Sequence, residues 1–328
     1  MTESLLEVRN LTVSFQTPDG IVEAVRGISF NVERGETLGI VGESGSGKSV
    51  ATQTVAGLTR GARISGEAIF EGRDLLTMSA AELRAIRGPG IAMIFQNPLS
   101  SLHPFYKIGW QIEEMIRAHE TASRAAARKR AIELLGLVGI PRPEKRVDDY
   151  PHQFSGGMLQ RAMIAMALAL QPRLLIADEP TTALDVTVQA QIVRLMQRLQ
   201  NEFGMAMIMI THDLGVIAGM ANEVVVMYAG QIMEQASRYG LFQQPSHPYT
   251  NGLLRSLPRM NAPDEPLTAI AGQPPSLIEP PSGCPFHPRC PQVMDRCTIS
   301  APPFLPVTGP EAHRSACWLL DPASKAQE

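Results

Sequence analysis

Residues 42–49 read Gly42-Glu43-Ser44-Gly45-Ser46-Gly47-Lys48-Ser49, which fits G-x-x-x-x-G-K-[ST]. Context decides what the match is worth. Upstream, Thr37-Leu38-Gly39-Ile40-Val41 is short and mostly apolar, as a buried strand is. Downstream, Ser49 to Leu58 contains no proline and can run as a helix. Strand, glycine loop and helix in that order are what a phosphate-binding loop requires. The glycines let backbone N–H groups turn toward one point, and the new helix adds its positive N-terminal end. Lys48 then reaches the β- and γ-phosphates, and the Ser49 hydroxyl joins a Mg²⁺ shell. A glycine-rich turn ahead of an ordinary helix is the plainer alternative, and the flanking elements weigh against it.

The 328 residues allow one large domain or two, and a hydrophobic share of 44% is enough for a real core. A net charge of −3 gives no basic footprint, so nucleic acid is not an expected partner. Met1-Thr2-Glu3-Ser4 lacks the basic start and apolar run of a signal peptide. The longest apolar candidate, Met158 to Leu170, contains Gln160 and Arg161 and falls short of the roughly 18 residues a membrane span needs. The expectation is a soluble chain that works at a membrane, if at all, through partners.

Outward from the loop, Leu6-Glu7-Val8-Arg9, Leu11-Thr12-Val13-Ser14-Phe15 and Ile28-Ser29-Phe30-Asn31-Val32 alternate as strands, with Pro18-Asp19-Gly20 as a turn. They predict an antiparallel sheet leading into the loop. Phe15 reads as a core aromatic or as a platform for a flat ring. Ile64 to Phe70 predicts another strand, Ala80 to Arg87 a helix, and Ile91 to Phe95 a buried strand closed by Gln96-Asn97-Pro98. From Ile108 to about Gln153 the pattern turns helical, with Ile112, Met115 and Ile116 at helical spacing and helix formers over 125–137. Arg124, Arg128, Lys129 and Arg130 are expected on a solvated face.

Phe154-Ser155-Gly156-Gly157-Met158 then opens an apolar helix that Pro172 stops, either as an anion-binding N-terminus or as a plain N-cap. Leu174-Leu175-Ile176-Ala177-Asp178-Glu179 is an apolar strand ending in two carboxylates. In a phosphate-loop enzyme an acid there holds Mg²⁺, and a second beside it can orient or deprotonate water. Asp185 follows in a turn before a helix over 186–200. The strand Met205 to Ile210 closes on Thr211-His212-Asp213, where His212 is either structural or able to contact a γ-phosphate. Met205, Met207, Met209 and Met227 are expected as core filler.

These pieces, in this order, resemble the ATP-binding subunit of an ABC transporter, from about Leu5 to Gly240. Gly42–Ser49 is similar to the Walker A loop, Gln96 to the Q-loop, and Ser155-Gly156-Gly157 to the core of the family signature. Leu174–Asp178 is similar to Walker B, Glu179 to the catalytic carboxylate, Ala183-Leu184-Asp185 to the D-loop and His212 to the switch histidine. The resemblance puts Phe15 against the adenine ring, and Ser49, Gln96 and Asp178 around Mg²⁺. The usual signature is L-S-G-G-Q, so Met158 is a departure. The fold implied is α/β: a P-loop NTPase core with an N-terminal antiparallel β subdomain and a helical subdomain at about 97–165. In such a family two cassettes dimerise head to tail, and each ATP lies between Walker A of one and the signature of the other.

From Ala262 the composition shifts to proline and glycine, and all four cysteines, Cys284, Cys290, Cys297 and Cys317, lie in this tail. In a reducing compartment they argue for metal over disulfides. Spacing leaves zinc and iron–sulfur both open, with His287 and His313 as alternative ligands. His247-Pro248-Tyr249-Thr250-Asn251-Gly252-Leu253-Leu254 and Gly283-Cys284-Pro285-Phe286-His287-Pro288-Arg289-Cys290 resemble the C-terminal extension of oligopeptide and dipeptide importer ATPases. That resemblance implies a 4Fe-4S cluster on the four cysteines, with zinc as the alternative.

The chain is therefore expected to have an ATPase domain over 1–260 and a cysteine-containing extension over 261–328. It would power peptide import beside a second ABC ATPase (heterodimer or homodimer), two transmembrane permeases and, indirectly, a periplasmic or extracellular peptide-binding protein. It would sit peripherally on the cytoplasmic face of the cell membrane. Alternative cargoes are a nickel chelate, glutathione or an opine; a soluble ABC ATPase outside transport is a further reading.

Overall fold

The computed structural model describes residues 4–182, 184–256, 269–308 and 312–322. Its strands are β1 (Ser4–Thr17), β2 (Gly20–Glu33), β3 (Thr37–Val41), β4 (Ala62–Phe70), β5 (Arg73–Asp74) and β6 (Ile91–Ile94). They continue as β7 (Leu174–Asp178), β8 (Ala206–Thr211), β9 (Glu223–Tyr228), β10 (Gln231–Ser237), β11 (Leu305–Pro306) and β12 (Arg314–Ser315). The helices are α1 (Lys48–Val55), α2 (Ala80–Ile86), α3 (Pro98–Ser101), α4 (Ile108–His119), α5 (Arg124–Leu137) and α6 (Pro143–Arg146). After them come α7 (Gly156–Ala167), α8 (Val186–Phe203), α9 (Leu214–Met220), α10 (Arg238–Gln243), α11 (Pro248–Arg255) and α12 (Asp295–Ile299). Among the described residues no helix is long and apolar enough to cross a membrane.

Two compact units divide the chain, and neither is continuous in sequence. The first is chiefly Thr77–Ile210. In it β6, β7 and β8 run parallel, with Ile94 opposite Ala177 and Ala177 opposite Met209. β7 and β8 are buried at every residue, which is why both read as unbroken apolar runs rather than alternating ones. The helical segment packs α4 on α5. Ile108, Ile112 and Ile116 form a buried stripe at four-residue spacing, while Met115 sits half-buried at its margin. Of the four basic residues expected on a solvated face, Lys129 is exposed, but Arg128 is engaged. It bonds Asp148 at 2.5 Å and approaches buried Glu113 at 3.4 Å, because that carboxylate needs a compensating charge.

The second unit contains the loop at 42–49. Its antiparallel sheet has the order β2-β1-β4-β5. The two runs at 6–9 and 11–15 prove to be one strand, irregular between Arg9 and Thr12, where Asn10 adopts φ 46°. In the same unit β3 pairs parallel with β9, β9 antiparallel with β10, and β10 antiparallel with β12. Helix α1 ends at Val55, short of the expected Leu58; Gly57 at φ 67° follows its C-cap. Of the four methionines expected as core filler, Met227 lies in this unit and Met205, Met207 and Met209 in the first, each at 2% exposure or less.

The C-terminal extension joins this second unit. β12 continues its sheet, and buried Glu234 of β10 anchors what surrounds it. The Glu234 carboxylate accepts from the Ser246 N–H at 2.7 Å, the His247 N–H at 2.9 Å and His313 Nε2 at 2.7 Å. His247 is fully buried, and desolvation lowers its pKa to about 4, so its ring is neutral and its Nδ1 accepts from the Tyr249 N–H. The expected boundary at 260/261 lies outside the described residues.

Candidate nucleotide site

The loop is built by close backbone approach. A Cβ on Gly42 (φ 154°) would stand 2.1 Å from the Met227 carbonyl oxygen, and one on Gly47 (φ 95°) 2.3 Å from that of Ala24. Only glycine fits either place. Ser44 and Gly45 form the exposed tip, Ser46 is buried, and Ser49 is half-buried in the first turn of α1. Lys48 is only 5% exposed. Its ammonium donates to the Gly42 and Glu43 carbonyls at 2.7 and 2.8 Å and to Ser46 Oγ at 3.2 Å. A buried cation in a glycine-bounded loop at the start of a helix has the chemistry to take a nucleotide's polyphosphate.

Glu43 is held from the C-terminal side of the chain. Its carboxylate forms a two-pronged pair with Arg289, and its N–H donates to Tyr249 Oη at 2.9 Å. Arg289 beside Glu43 is held charged far above any physiological pH, and burial raises the Tyr249 hydroxyl. Neither residue received a role from the sequence. Each lay in a quoted motif, but a partner 246 residues away leaves no periodic trace.

In the same unit Phe15 is half-buried on β1 opposite Ala62, so it is not a core aromatic. His212 is exposed just beyond β8, next to Asp213, which caps α9 through the Gly215 N–H.

The first unit carries the acids. β7 delivers Asp178, 4% exposed, and then Glu179 with φ 46°. That left-handed conformation costs a non-glycine residue roughly 1 kcal/mol or more, and such cost concentrates at functional sites. The Glu179 N–H donates to the Ile210 carbonyl at 2.9 Å, tying the turn to β8. Glu179 Oε2 accepts from Gln96 Nε2 at 2.9 Å and from Thr182 Oγ1 at 2.8 Å. Gln96 reaches it because β6 and β7 are parallel and in register, so both strands end at the same place. Thr182 was not expected; a threonine three residues after the acid gives no signal of its own.

The signature residues begin α7. Ser155 Oγ accepts from the Met158 N–H at 3.4 Å, so the cap uses residue 158 only through its backbone and the departure to methionine leaves it intact. A Cβ on Gly157 would meet Val188 at 2.9 Å, so the glycine lets α7 approach α8. Ser155 and Gly156 remain exposed. Asp185 caps α8 by accepting from the Val188 N–H at 3.0 Å, and Ala183 lies outside the described residues.

None of the four cysteines is in a disulfide, and all four line one cavity together with Phe286 and Trp318. Gly283 (φ 68°) lets the Cys284 N–H reach the Cys297 carbonyl at 2.8 Å; a Cβ there would stand 2.2 Å from that oxygen. Burial pushes Cys284 up to about 11 and Cys317 up to about 12, and each feels the neighbouring thiols. Of the two candidate histidines, His287 lines the cavity, whereas His313 is bonded to Glu234. Among the described residues no group of three or more His, Cys, Asp or Glu is placed to hold a metal ion, so the geometry does not support the metal expected on the four cysteines.

Residues 25–182 match the ABC transporter family, and residues 233–297 match the C-terminal region of oligopeptide/dipeptide transporters. The oligopeptide transport ATP-binding protein OppD of Bacillus subtilis is 52% identical over 97% of this chain and 89% of its own length. The dipeptide transport ATP-binding protein DppD of the same organism is 50% identical over 97% of this chain and 96% of its own. Among solved structures, the ATP-binding cassette MJ0796, a dimer in a post-hydrolysis state bound to ADP and Pi, is 28% identical. It aligns with a TM-score of 0.64 over 71% of this chain and 98% of its own. With the loop, the paired acids and the extension accounted for, the chain belongs to the ABC transporter ATP-binding proteins of the oligopeptide/dipeptide branch.

Proposed function

We propose that this chain binds and hydrolyses ATP to drive import of oligopeptides or dipeptides through a membrane transporter. The observation that carries this reading is the match to OppD and DppD, which extends through the cysteine extension as well as the cassette. In this reading the loop N–H groups and Lys48 bind the phosphates, and Phe15 stacks on adenine. Ser49, Gln96 and Asp178 hold Mg²⁺, which when bound neutralises charge on the phosphates. Glu179, oriented by Gln96 and Thr182, positions and deprotonates the attacking water. His212 contacts the γ-phosphate. Ser155, Gly156, Gly157 and Asp185 serve the ATP of a second cassette, since this chain carries one copy of each motif. ATP can close such a dimer only through its higher affinity for the closed state.

The partners in this reading are a second ABC ATPase, two permeases and an external peptide-binding protein, with the chain peripheral on the cytoplasmic face of the membrane. Reconstituted with those permeases in proteoliposomes, it should hydrolyse ATP faster when peptide-loaded binding protein is added, with labelled peptide accumulating inside. Stimulation by a nickel chelate, glutathione or an opine, and none by peptides, would replace the cargo assignment.

In the same reading Cys284, Cys290, Cys297 and Cys317 hold a 4Fe-4S cluster, whose chemistry here is to cross-link a tail with little core of its own. What supports a metal reading is that the four cysteines line one cavity. Anaerobically purified protein should contain matched iron and sulfide; stoichiometric zinc would make the tail a zinc staple.

A further inference from the structure

We infer that Arg289 is a positioning residue of the nucleotide site, through which the C-terminal extension sets the phosphate loop. The inference rests on the nucleotide reading of 42–49 given above. Every face of the Arg289 guanidinium is committed. Nη1 and Nη2 bond the two Glu43 carboxylate oxygens at 2.6 and 3.0 Å. Nε donates to the Ala271 carbonyl at 2.9 Å, Nη2 to that of Ile270 at 3.2 Å, and Nη1 to Tyr228 Oη at 3.2 Å. The side chain is 5% exposed and lies against the buried rings of Tyr228 and Phe286. A buried fork with this many partners has one geometry, so Glu43 has one as well.

Two further contacts give that fixation a consequence. The Glu43 N–H is aimed at Tyr249 Oη, which orients the peptide plane at the start of the loop. The carbonyls of Gly42 and Glu43 in turn accept from Lys48 Nζ at 2.7 and 2.8 Å. The connected path is Arg289 and Tyr249 to Glu43, Glu43 to the loop carbonyls, and those carbonyls to the phosphate-binding lysine. If Arg289 served only to fasten the tail, its bonds to the Ile270 and Ala271 carbonyls would suffice. The Glu43 pair instead transmits the position of the Phe286–Cys290 segment to Lys48.

The test uses the full-length chain and MgATP. Arg289→Met and Glu43→Gln should each weaken MgATP binding about tenfold, because a loop no longer preorganised must order itself on binding. In the reconstituted transporter KM for MgATP should rise with kcat little changed, since neither residue touches the reacting water. The double variant should be no weaker than the weaker single, because both changes remove one interaction. Arg289→Lys, which keeps the charge without the fork, should recover part of the affinity. Glu43→Gln leaves the tail's own contacts in place and keeps the test informative if Arg289→Met folds poorly.

Wild-type affinity in both single variants, with faster alkylation of the four cysteines in Arg289→Met, would reduce Arg289 to a tail staple and overturn the inference. Additive losses in the double variant would overturn it too. Failure of the wild-type chain itself to bind MgATP would overturn the nucleotide reading, a result distinct from either.

Discussion

Glu179→Gln should lower ATP turnover by about a thousandfold while leaving MgATP binding within a few-fold of wild type. The amide keeps the size of the carboxylate, and its oxygen can still accept from Gln96 or Thr182, the two donors now 2.9 and 2.8 Å from Glu179 Oε2. What it cannot do is take a proton from water. The phosphate loop belongs to the other compact unit and keeps its own hydrogen bonds, so binding should persist. Steady-state phosphate release and equilibrium MgATP binding, measured on the same preparation, check both halves. Rapid turnover by this variant would remove Glu179 from the chemistry and direct attention to His212.

The second large effect is structural. Glu234→Ala should destabilise the attachment of the tail by about 4 kcal/mol, the range expected when a buried carboxylate that serves several donors is removed. Glu234 is fully buried and satisfies three donors, the Ser246 and His247 N–H groups and His313 Nε2. Truncation leaves the buried His247 N–H and His313 Nε2 and the half-buried Ser246 N–H without this acceptor, which costs more than the loss of any one bond. Hydrogen exchange should reveal it as faster exchange in peptides covering 231–237 and 312–318, with β6, β7 and β8 unaffected. Unchanged protection in those peptides would mean that the β10–β12 pairing and packing hold the tail without Glu234.

Much of this protein was legible in one dimension because its chemistry is local in the chain. The loop at 42–49 needs glycines where a Cβ would collide with backbone, a lysine and a serine, and each requirement leaves its residue at a fixed position. The parallel strands β7 and β8 are covered on both faces, so they appear as apolar runs whose ends mark Asp178, Glu179 and the approach to His212. The cap at Ser155 and the cap at Asp185 lie within three residues of what they bind, and the resemblance to ABC cassettes could be carried by such short motifs.

What the sequence left undecided depends on contacts between distant segments. Arg128 reads as one of four surface cations, and only the packing of α4 on α5 brings it to Glu113. Gln96 resembles the Q-loop glutamine, but only the parallel register of β6 and β7 brings it onto the Glu179 carboxylate. The extension reads as a proline-rich appendage, yet it supplies a strand to the sheet of the unit that holds the phosphate loop, and an arginine to the loop's own glutamate. The sequence alone determined the motifs, their order and the reaction class, because those rest on residue type and short spacing. The tertiary structure decided which side chains hold the candidate site residues in place, because a hydrogen bond across 83 or 246 residues is fixed by folding geometry and not by neighbours in the chain.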